Sequence, residues 1–326
     1  MKNFLIALFY LPLLAISTAV NAQQTYPQRP IRLIVPFAPG GASDFAARII
    51  AQALTEELKQ SIVIENKGGA AGNIGMEAAA KASPDGYTLF FGNVGAISIN
   101  PSVFGSTLKV KPAEDFIPIS KVVDVPSVLV VNPDIPSSTV KEFVNYAKTQ
   151  KRELNFGSSG SGSLNSLEMI SLIKEAKINM TQVPYKSGAG QSITNLIGGQ
   201  IDVMFVTLPS AIGYIKSNKI KALAVTSTNR LEQLPSVPTL VEQGYPSRVS
   251  SSWQGIFAPR ETPTEIVNRL FSAISKVMSQ KSVQERLASG GVIAATSPSP
   301  EAFGVYVKAE TARWSKVVRE IEIEQP

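Results

Sequence analysis

IRLIVPFAPGGASDFAAR, residues 31–48, carries a complete strand–loop–helix unit. Ile31–Val35 is apolar apart from Arg32 and stops at Pro36, which has no N–H for a sheet ladder, as expected for the end of a buried strand. The following residues, Phe37-Ala38-Pro39-Gly40-Gly41-Ala42, contain too much Pro and Gly for either regular element. A helix then opens at Ser43 or Asp44. Its apolar positions Phe45, Ile49, Ile50, Ala53, Leu54 and Leu58 recur with the 3.6-residue period of one buried face. A buried strand that feeds a helix through a loop of small residues is the repeating unit of an α/β sheet.

The same grammar extends outward. Strands are predicted at 62–64 and 87–91, separated by the loop Lys67-Gly68-Gly69-Ala70-Ala71-Gly72-Asn73 and a small-residue helix over 74–82. Further strands read at 127–131, 154–156, 181–184, 201–206 and 221–226, with helices at 139–150, 164–176, 191–197 and 211–217 between them. The last 65 or so residues are mostly helical, with Thr262-Pro263-Thr264-Glu265 read as a capping box, Gly290-Gly291 as a helix stop and Ser299-Pro300 as a helix start. Such alternation predicts doubly wound, mostly parallel sheets. No linker of low complexity interrupts it, so two domains would be joined by short crossings, placed near 123–128 and 240–246.

Residues 1–22 have the tripartite pattern of a cleaved secretory signal: Lys2, an apolar run over 4–16, and small residues with Val20 and Ala22 at the peptidase-read positions. The apolar run is shorter than the roughly 20 residues of a membrane span. Removing 22 residues of 326 leaves about 304, enough for two domains. The chain has no cysteine, so a lipid anchor at the cleavage site is excluded, and a soluble periplasmic protein is the expectation. Its net charge of +6 is scattered, with Lys216, Lys219 and Lys221 among the denser groups, and no basic tract suited to nucleic acid stands out. Histidine is also absent, which removes Ser-His-Asp and Cys-His catalysis and the favoured ligands of zinc.

Three loops share the design of the first: Phe37 through Asp44, Gly157-Ser158-Ser159-Gly160-Ser161-Gly162-Ser163, and Val206-Thr207-Leu208-Pro209-Ser210. In open α/β sheets ligands bind beyond the carboxyl ends of the strands, and helix N-termini behind small residues favour anions there. The candidate ligand contacts are Phe37, Ala38, Gly40, Gly41, Ala42, Asp44, Asn93, Ser159, Gly160, Ser161, Gly162, Ser163, Thr207 and Pro209. Of these Asp44 reads first as a helix cap or first-turn acid, since a carboxylate would repel an anion. Lys67 and Lys186 read as surface lysines. Catalytic patterns are poor. The loop at 157–163 fails G-x-S-x-G, Gly160-Ser161-Gly162 lacks the third glycine of a dinucleotide fingerprint, and no P-loop is present. S-x-x-K occurs at Ser106/Lys109, Ser138/Lys141 and Ser171/Lys174 without a K-T-G partner. No metal site, cofactor or catalytic residue is assigned.

These residues resemble the Bug family, periplasmic solute-binding receptors of tripartite tricarboxylate transporters. The likeness runs through PIRLIVPFAPGGASDFAAR (30–48), ENKGGAAGNIGMEAAAKASPDGYTL (65–89), VPYK (183–186), LIGGQIDVMF (196–205), LAVTSTNRLEQLPSVPTLVEQGY (223–245) and SWQGIFAP (252–259). It implies the type II periplasmic-binding-protein fold: two doubly wound α/β lobes, joined by a two-stretch hinge, that close on a ligand. On that scheme lobe 1 is discontinuous, 23–125 plus 244–326, and lobe 2 is 126–243. The first two loops would grip a carboxylate and the 206–209 segment would line the second lobe. Two departures stand out: the histidine the family often carries three residues after Ser163 is Ser166 here, and the residues after Tyr-Lys include Ser187, Gly190 and Gln191.

The expected function is capture of a small carboxylate and delivery to a membrane permease by a monomer, without chemistry on the solute. A sensory receptor for a membrane kinase and a secreted Ser-Lys hydrolase are the alternatives. Cleavage is expected between Ala22 and Gln23, and the intact mass of protein recovered from the periplasm checks it. Retention of residues 1–22 would overturn export.

Overall fold

The computed structural model describes residues 26–160, 162–185, 189–246 and 249–321; the signal-peptide reading and Ser161, Lys186 and Ser187 lie outside them. The opening stretch folds as β1 (Ile31–Val35) followed by α1 (Ala42–Leu58), with β2 (Ile62–Asn66) after it. Next come α2 (Asn73–Ala80), β3 (Thr88–Asn93), the short helices α3 (Asn100–Phe104) and α4 (Pro112–Asp115), and β4 (Phe116–Asp124). The second sheet is built from β5 (Ser127–Val131), α5 (Val140–Thr149), β6 (Leu154–Ser158), α6 (Leu164–Ala176), β7 (Met180–Pro184), α7 (Ala189–Ile197), β8 (Val203–Thr207), α8 (Leu208–Lys216) and β9 (Lys221–Val225). The chain then returns through β10 (Gln254–Pro259), α9 (Thr264–Met278), α10 (Lys281–Ser289), β11 (Ile293–Ala294) and α11 (Pro300–Glu320).

The strand orders are β11-β4-β10-β3-β1-β2 and β7-β6-β8-β5-β9. Each sheet has the same plan. Its first three parallel strands lie in the order second, first, third, and the strand that enters just after a crossing, β10 or β5, packs antiparallel beside the third. The two lobes of the expected fold are therefore present. Both faces of each sheet are covered. One face of the first sheet packs with α1, α9 and α10, and the other meets Met76, Val103, Phe303 and Trp314. The second sheet sits between a cluster holding Phe143 and Leu172 and one holding Leu196 and Ala211.

The chain passes between the sheets at Val125-Pro126 and again at 250–253. Thr226 joins these stretches: its hydroxyl accepts from the Ser127 N–H at 2.9 Å and donates to the Ser250 carbonyl at 2.9 Å. Its N–H donates to the Ser127 carbonyl, and the Ser250 N–H returns to the Thr226 carbonyl. Further on, the Ser252 N–H reaches the Val125 carbonyl at 2.9 Å.

Three strands, β4, β10 and the two-residue β11, and one helix start differ from the sequence reading. The sheets are also mixed rather than mostly parallel, because β4, β5, β10 and β11 make only antiparallel pairings. β4 and β10 carry no clear strand signal, because β4 holds Pro118 and Lys121 and β10 begins with Gln254 and ends at Pro259. Thr262 does not cap α9: its hydroxyl donates to the Pro259 carbonyl at 2.7 Å, and Pro263 precedes the helix without a side-chain cap. Among the described residues no helix is long and apolar enough to cross a membrane.

Phe303 anchors α11 to the first sheet, packing at 5.1 Å from Phe257 and edge-on to Trp253 at 5.9 Å, with no exposed surface. Phe303→Ala should cost about 3–5 kcal/mol in urea unfolding. A loss below about 1 kcal/mol would mean that α11 is held by something other than this aromatic cluster.

Candidate functional site

The loop between β1 and α1 is shaped by one carboxylate. Asp44 is 4 % exposed; its Oδ2 accepts from the Gly40 N–H at 3.0 Å and from Arg48 Nε at 2.9 Å, and its Oδ1 accepts from Asn66 Nδ2 at 3.0 Å. Asn66 Nδ2 also donates to the Phe37 carbonyl at 3.0 Å, so one amide clasps both ends of the loop. Burial acts to raise the Asp44 pKa, but the bonds from Arg48, Gly40 and Asn66 outweigh it and hold the carboxyl below its ordinary range. Asp44 is thus neutralised inside the protein. Gly40, at φ +86°, needs the left-handed conformation that glycine adopts freely, and its N–H is taken by Asp44.

What the loop leaves open is its backbone. Among the described residues the N–H groups of Gly41, Ala42 and Ser43 meet no acceptor, as at any uncapped helix start. Phe37 is half-buried and Ala38 exposed. A neighbouring loop braces them: a Cβ on Gly68 would lie 3.3 Å from the Ala38 nitrogen, so a larger residue there would press the backbone of the first loop by a few tenths of an ångström. Ala70 and Ala71, at φ +46° and +55°, hold the same loop in a left-handed turn that costs L-residues roughly 1–2 kcal/mol each. The fully buried Asn100 steadies it by donating through Nδ2 to the Ala71 carbonyl at 3.0 Å.

In the second loop the hydroxyl of Ser163 donates to the Gly160 carbonyl at 2.8 Å and caps α6 by accepting from the Ser166 N–H at 3.3 Å. The Gly160 N–H points back to Ser158 Oγ at 3.3 Å. Gly162 and Leu164 keep N–H groups without an acceptor among the described residues, and Ser159 is exposed. Ser166 is fully buried and accepts from Gln182 Nε2 at 3.0 Å, which also donates to Ser158 Oγ at 2.6 Å. In the third loop Thr207 Oγ1 lies 3.3 Å from Ser210 Oγ, and Pro209 occupies the first turn of α8. Asn93, at the end of β3, uses its Oδ1 to accept from the Ala96 N–H at 3.0 Å.

The lobes touch near these loops: α1 contacts α8, and a Cβ on Gly162 would fall 2.7 Å from Cγ1 of Val103 in the opposite lobe. Lys67 Nζ is paired with Glu65 Oε1 at 2.9 Å, and Lys174 Nζ donates to the Glu320 carbonyl at 2.5 Å rather than to Ser171. Asn66 and Asn100 escaped the sequence reading. Asn66 had a usable signal, a hydrogen-bonding amide where a strand ends against a glycine-rich loop; Asn100 had none.

The pattern of the tripartite tricarboxylate transporter family receptor, TctC, matches residues 46–323. The chain is 36 % identical over 312 residues to protein BugT of Bordetella pertussis, covering 94 % of this chain and 93 % of that one. It is 36 % identical over 302 residues to a UPF0065 protein of Agrobacterium vitis, covering 92 % and 86 % of the two chains. Among solved structures, R. palustris Rpa4515 with adipate shares 34 % identity at a TM-score of 0.86, over 91 % of this chain and 99 % of that one. MatC from Rhodopseudomonas palustris with bound malate shares 33 % identity at a TM-score of 0.82, over 90 % and 100 %.

Asp44→Asn should lower stability at pH 7 by about 1.5–3 kcal/mol, the range for hydrogen bonds to a charged group. Because the folded pKa of Asp44 is depressed, its contribution is present above the ordinary value of 3.8 and is lost as pH falls through the folded value. The gap between wild type and variant in urea unfolding should therefore narrow below pH 3.8. A gap that stays constant with pH would mean that the charge does not hold the loop.

Proposed function

Because the chain belongs to the tripartite tricarboxylate transporter receptor family, we propose that it captures a small carboxylated solute between its lobes and delivers it, unchanged, to membrane permease subunits. It would act as an exported, periplasmic monomer, with 126–243 closing against 23–125 and 244–326. The observation that carries this reading is the set of helix-start N–H groups of Gly41, Ala42, Ser43, Gly162 and Leu164 left without an acceptor among the described residues, with α1 in contact with α8 and Gly162 set against Val103 of the other lobe. Each helix places partial positive charge at that end, and orphan N–H groups there are suited to a carboxylate.

Magnitudes favour several donors over one cation. Micromolar binding is about −8 kcal/mol, while association costs an estimated 4–15 kcal/mol. A hydrogen bond to a charged group contributes about 1.5–3 kcal/mol, so several must converge. In this reading the carboxylate lies on the starts of α1 and α6. The hydroxyls of Ser159 and Thr207 take further oxygens, and Phe37, Ala38, Asn93 and Pro209 shape the walls. Gly40, Asp44, Gly160 and Ser163 act by holding the loops, since their polar groups already have partners within them. Malate and adipate, found with relatives, are the first solutes to try.

A thermal-shift panel of dicarboxylates, tricarboxylates, aromatic acids and acidic amino acids should find at least one stabilising solute. At one hundred times its Kd that solute would add about 2.7 kcal/mol. It should be recovered intact after denaturation; a converted product would point to a hydrolase. With calorimetry on that solute, Lys67→Ala should weaken binding less than about tenfold, near 1.4 kcal/mol. Gly162→Val should remove binding, because its side chain would strike Val103 and hold the lobes apart. No response across the panel, or a Gly162→Val variant that binds like wild type, would overturn this account.

A further inference from the structure

Away from the crevice, the second turn of α6 carries a carboxyl that the solute site does not use. Glu168 is 7 % exposed, and its Oε1 accepts from Ser250 Oγ at 2.6 Å. Its Oε2 accepts from Asn165 Nδ2 at 3.5 Å, and that amide lies 3.5 Å from Ser127 Oγ. Ser250 stands on the second crossing and Ser127 opens β5 just after the first, and Thr226 ties the two together. Glu168 is therefore bonded directly to the second crossing and, through Asn165, to the strand that follows the first.

On its other side Glu168 faces the first lobe. It lines a cavity of about 80 Å³ with Phe205, Val249, Arg313, Trp314 and others, space for only a few waters. Arg313 of α11 is the charged group that faces Glu168 there, among the described residues. Its guanidinium is already engaged by the Val249 carbonyl and by Glu310, and Glu310 also accepts from the indole N–H groups of Trp253 and Trp314. No ion pair forms between Arg313 and Glu168 among the described residues. The seam that buries the carboxyl is α6 against α11. Leu164 and Leu167 pack with Trp253, Trp314 and Val318, and Lys174 reaches the Glu320 carbonyl. Lobe opening that parted α6 from α11 would hydrate Glu168, and closure would strip that water away.

We propose that Glu168 is a positioning residue for lobe closure, whose protonation favours the closed form of the solute-binding crevice. The proposal rests on reading the crevice as a solute site whose lobes open and close. Burial pushes the carboxyl up to about 7; the hydroxyls of Ser250 and Ser127, Arg313 and Asn165 act in the opposite direction and are outweighed. With the lobes apart the group returns toward its ordinary 4.5. Below 4.5 both forms hold the proton and the closed form is fully favoured. Between 4.5 and 7 the closed-to-open ratio falls as pH rises, by up to about tenfold per unit, and above 7 it is level.

The test is small-angle scattering of the solute-free full chain from pH 4.5 to 8, so its outcome does not depend on which solute binds. Wild type should expand across pH 4.5–7 and then hold a constant radius of gyration. Glu168→Gln, which keeps an acceptor for Ser250, should stay compact throughout. Ser250→Ala removes a donor that favours the charged form, so the upper end of the transition should move to higher pH; it carries the test if Glu168→Gln does not fold. Superimposed radii for wild type and variants overturn the proposal. So does a wild-type radius that ignores pH while the thermal midpoint follows it, the signature of a carboxyl that only stabilises. Failure of the solute panel with a pH-dependent radius would instead sink the carboxylate reading alone.

Discussion

The two crossings between the sheets constrain everything else, and a single threonine side chain ties them together. The strand that follows each crossing, β5 in one sheet and β10 in the other, packs antiparallel beside that sheet's third parallel strand, and the first sheet gains β10 only after the chain has returned through the second crossing. Thr226, 1 % exposed, uses its hydroxyl as acceptor and donor at once and its N–H and carbonyl as the next rungs. A hydroxyl suits this place because it can take one N–H and give one O–H within a few ångströms. The start of α8 depends on the same joint, since the Leu208 N–H donates to the Pro126 carbonyl at 3.0 Å. One of the three crevice helices therefore begins where the lobes are connected.

From that geometry follows the character of the crevice. Parallel strands that end together must hand over to helices that begin together, and helix starts present N–H groups rather than charges. The one acid in the first loop is buried beneath it and paired, so it shapes the loop from behind. The cost of this arrangement is carried by the supporting loops: Ala70 and Ala71 sit in left-handed backbone, and Asn66 and Asn100 spend their amides on carbonyls of Phe37 and Ala71. Removing either amide would leave a part-buried carbonyl without its side-chain donor.

How much of this could be read from the residues depended on whether a local rule and the global fold agreed. The runs 31–35 and 127–131 are short, apolar and bounded by breakers, and both are strands with the expected limits. The α6 segment keeps its period and has Ser163 as a cap, so it appears where expected, at Leu164–Ala176. β4 and β10 were invisible for the opposite reason. Their identity as strands comes from pairing with each other and with β3 across long stretches of chain, and no local pattern encodes that. The same holds at the crevice. Gly41 and Gly162 stood out by composition, whereas the roles of Asn66, Asn100 and Glu168 exist only once distant segments are brought together. Thr262 shows a local rule overridden: its hydroxyl meets the Pro259 carbonyl before it can reach the helix.

Two glycines show how closely the lobes fit when together. Gly162 stands against Val103, and Gly291, at φ +77°, stands against Leu208, where a Cβ would come within 2.4 Å of Cδ2. Both contacts cross between the lobes, and both set bare backbone against a branched side chain. The adjacent Gln233 Nε2 adds a hydrogen bond of 2.6 Å to the Ala288 carbonyl. At these distances an added methyl group would force Val103 or Leu208 to shift. If the lobes open and close as proposed, contacts of this kind make closure a choice between two packings, in which a small bias is sufficient to move the population. A bound anion supplies such a bias from the crevice, and a buried carboxyl on α6 is placed to supply another from the seam.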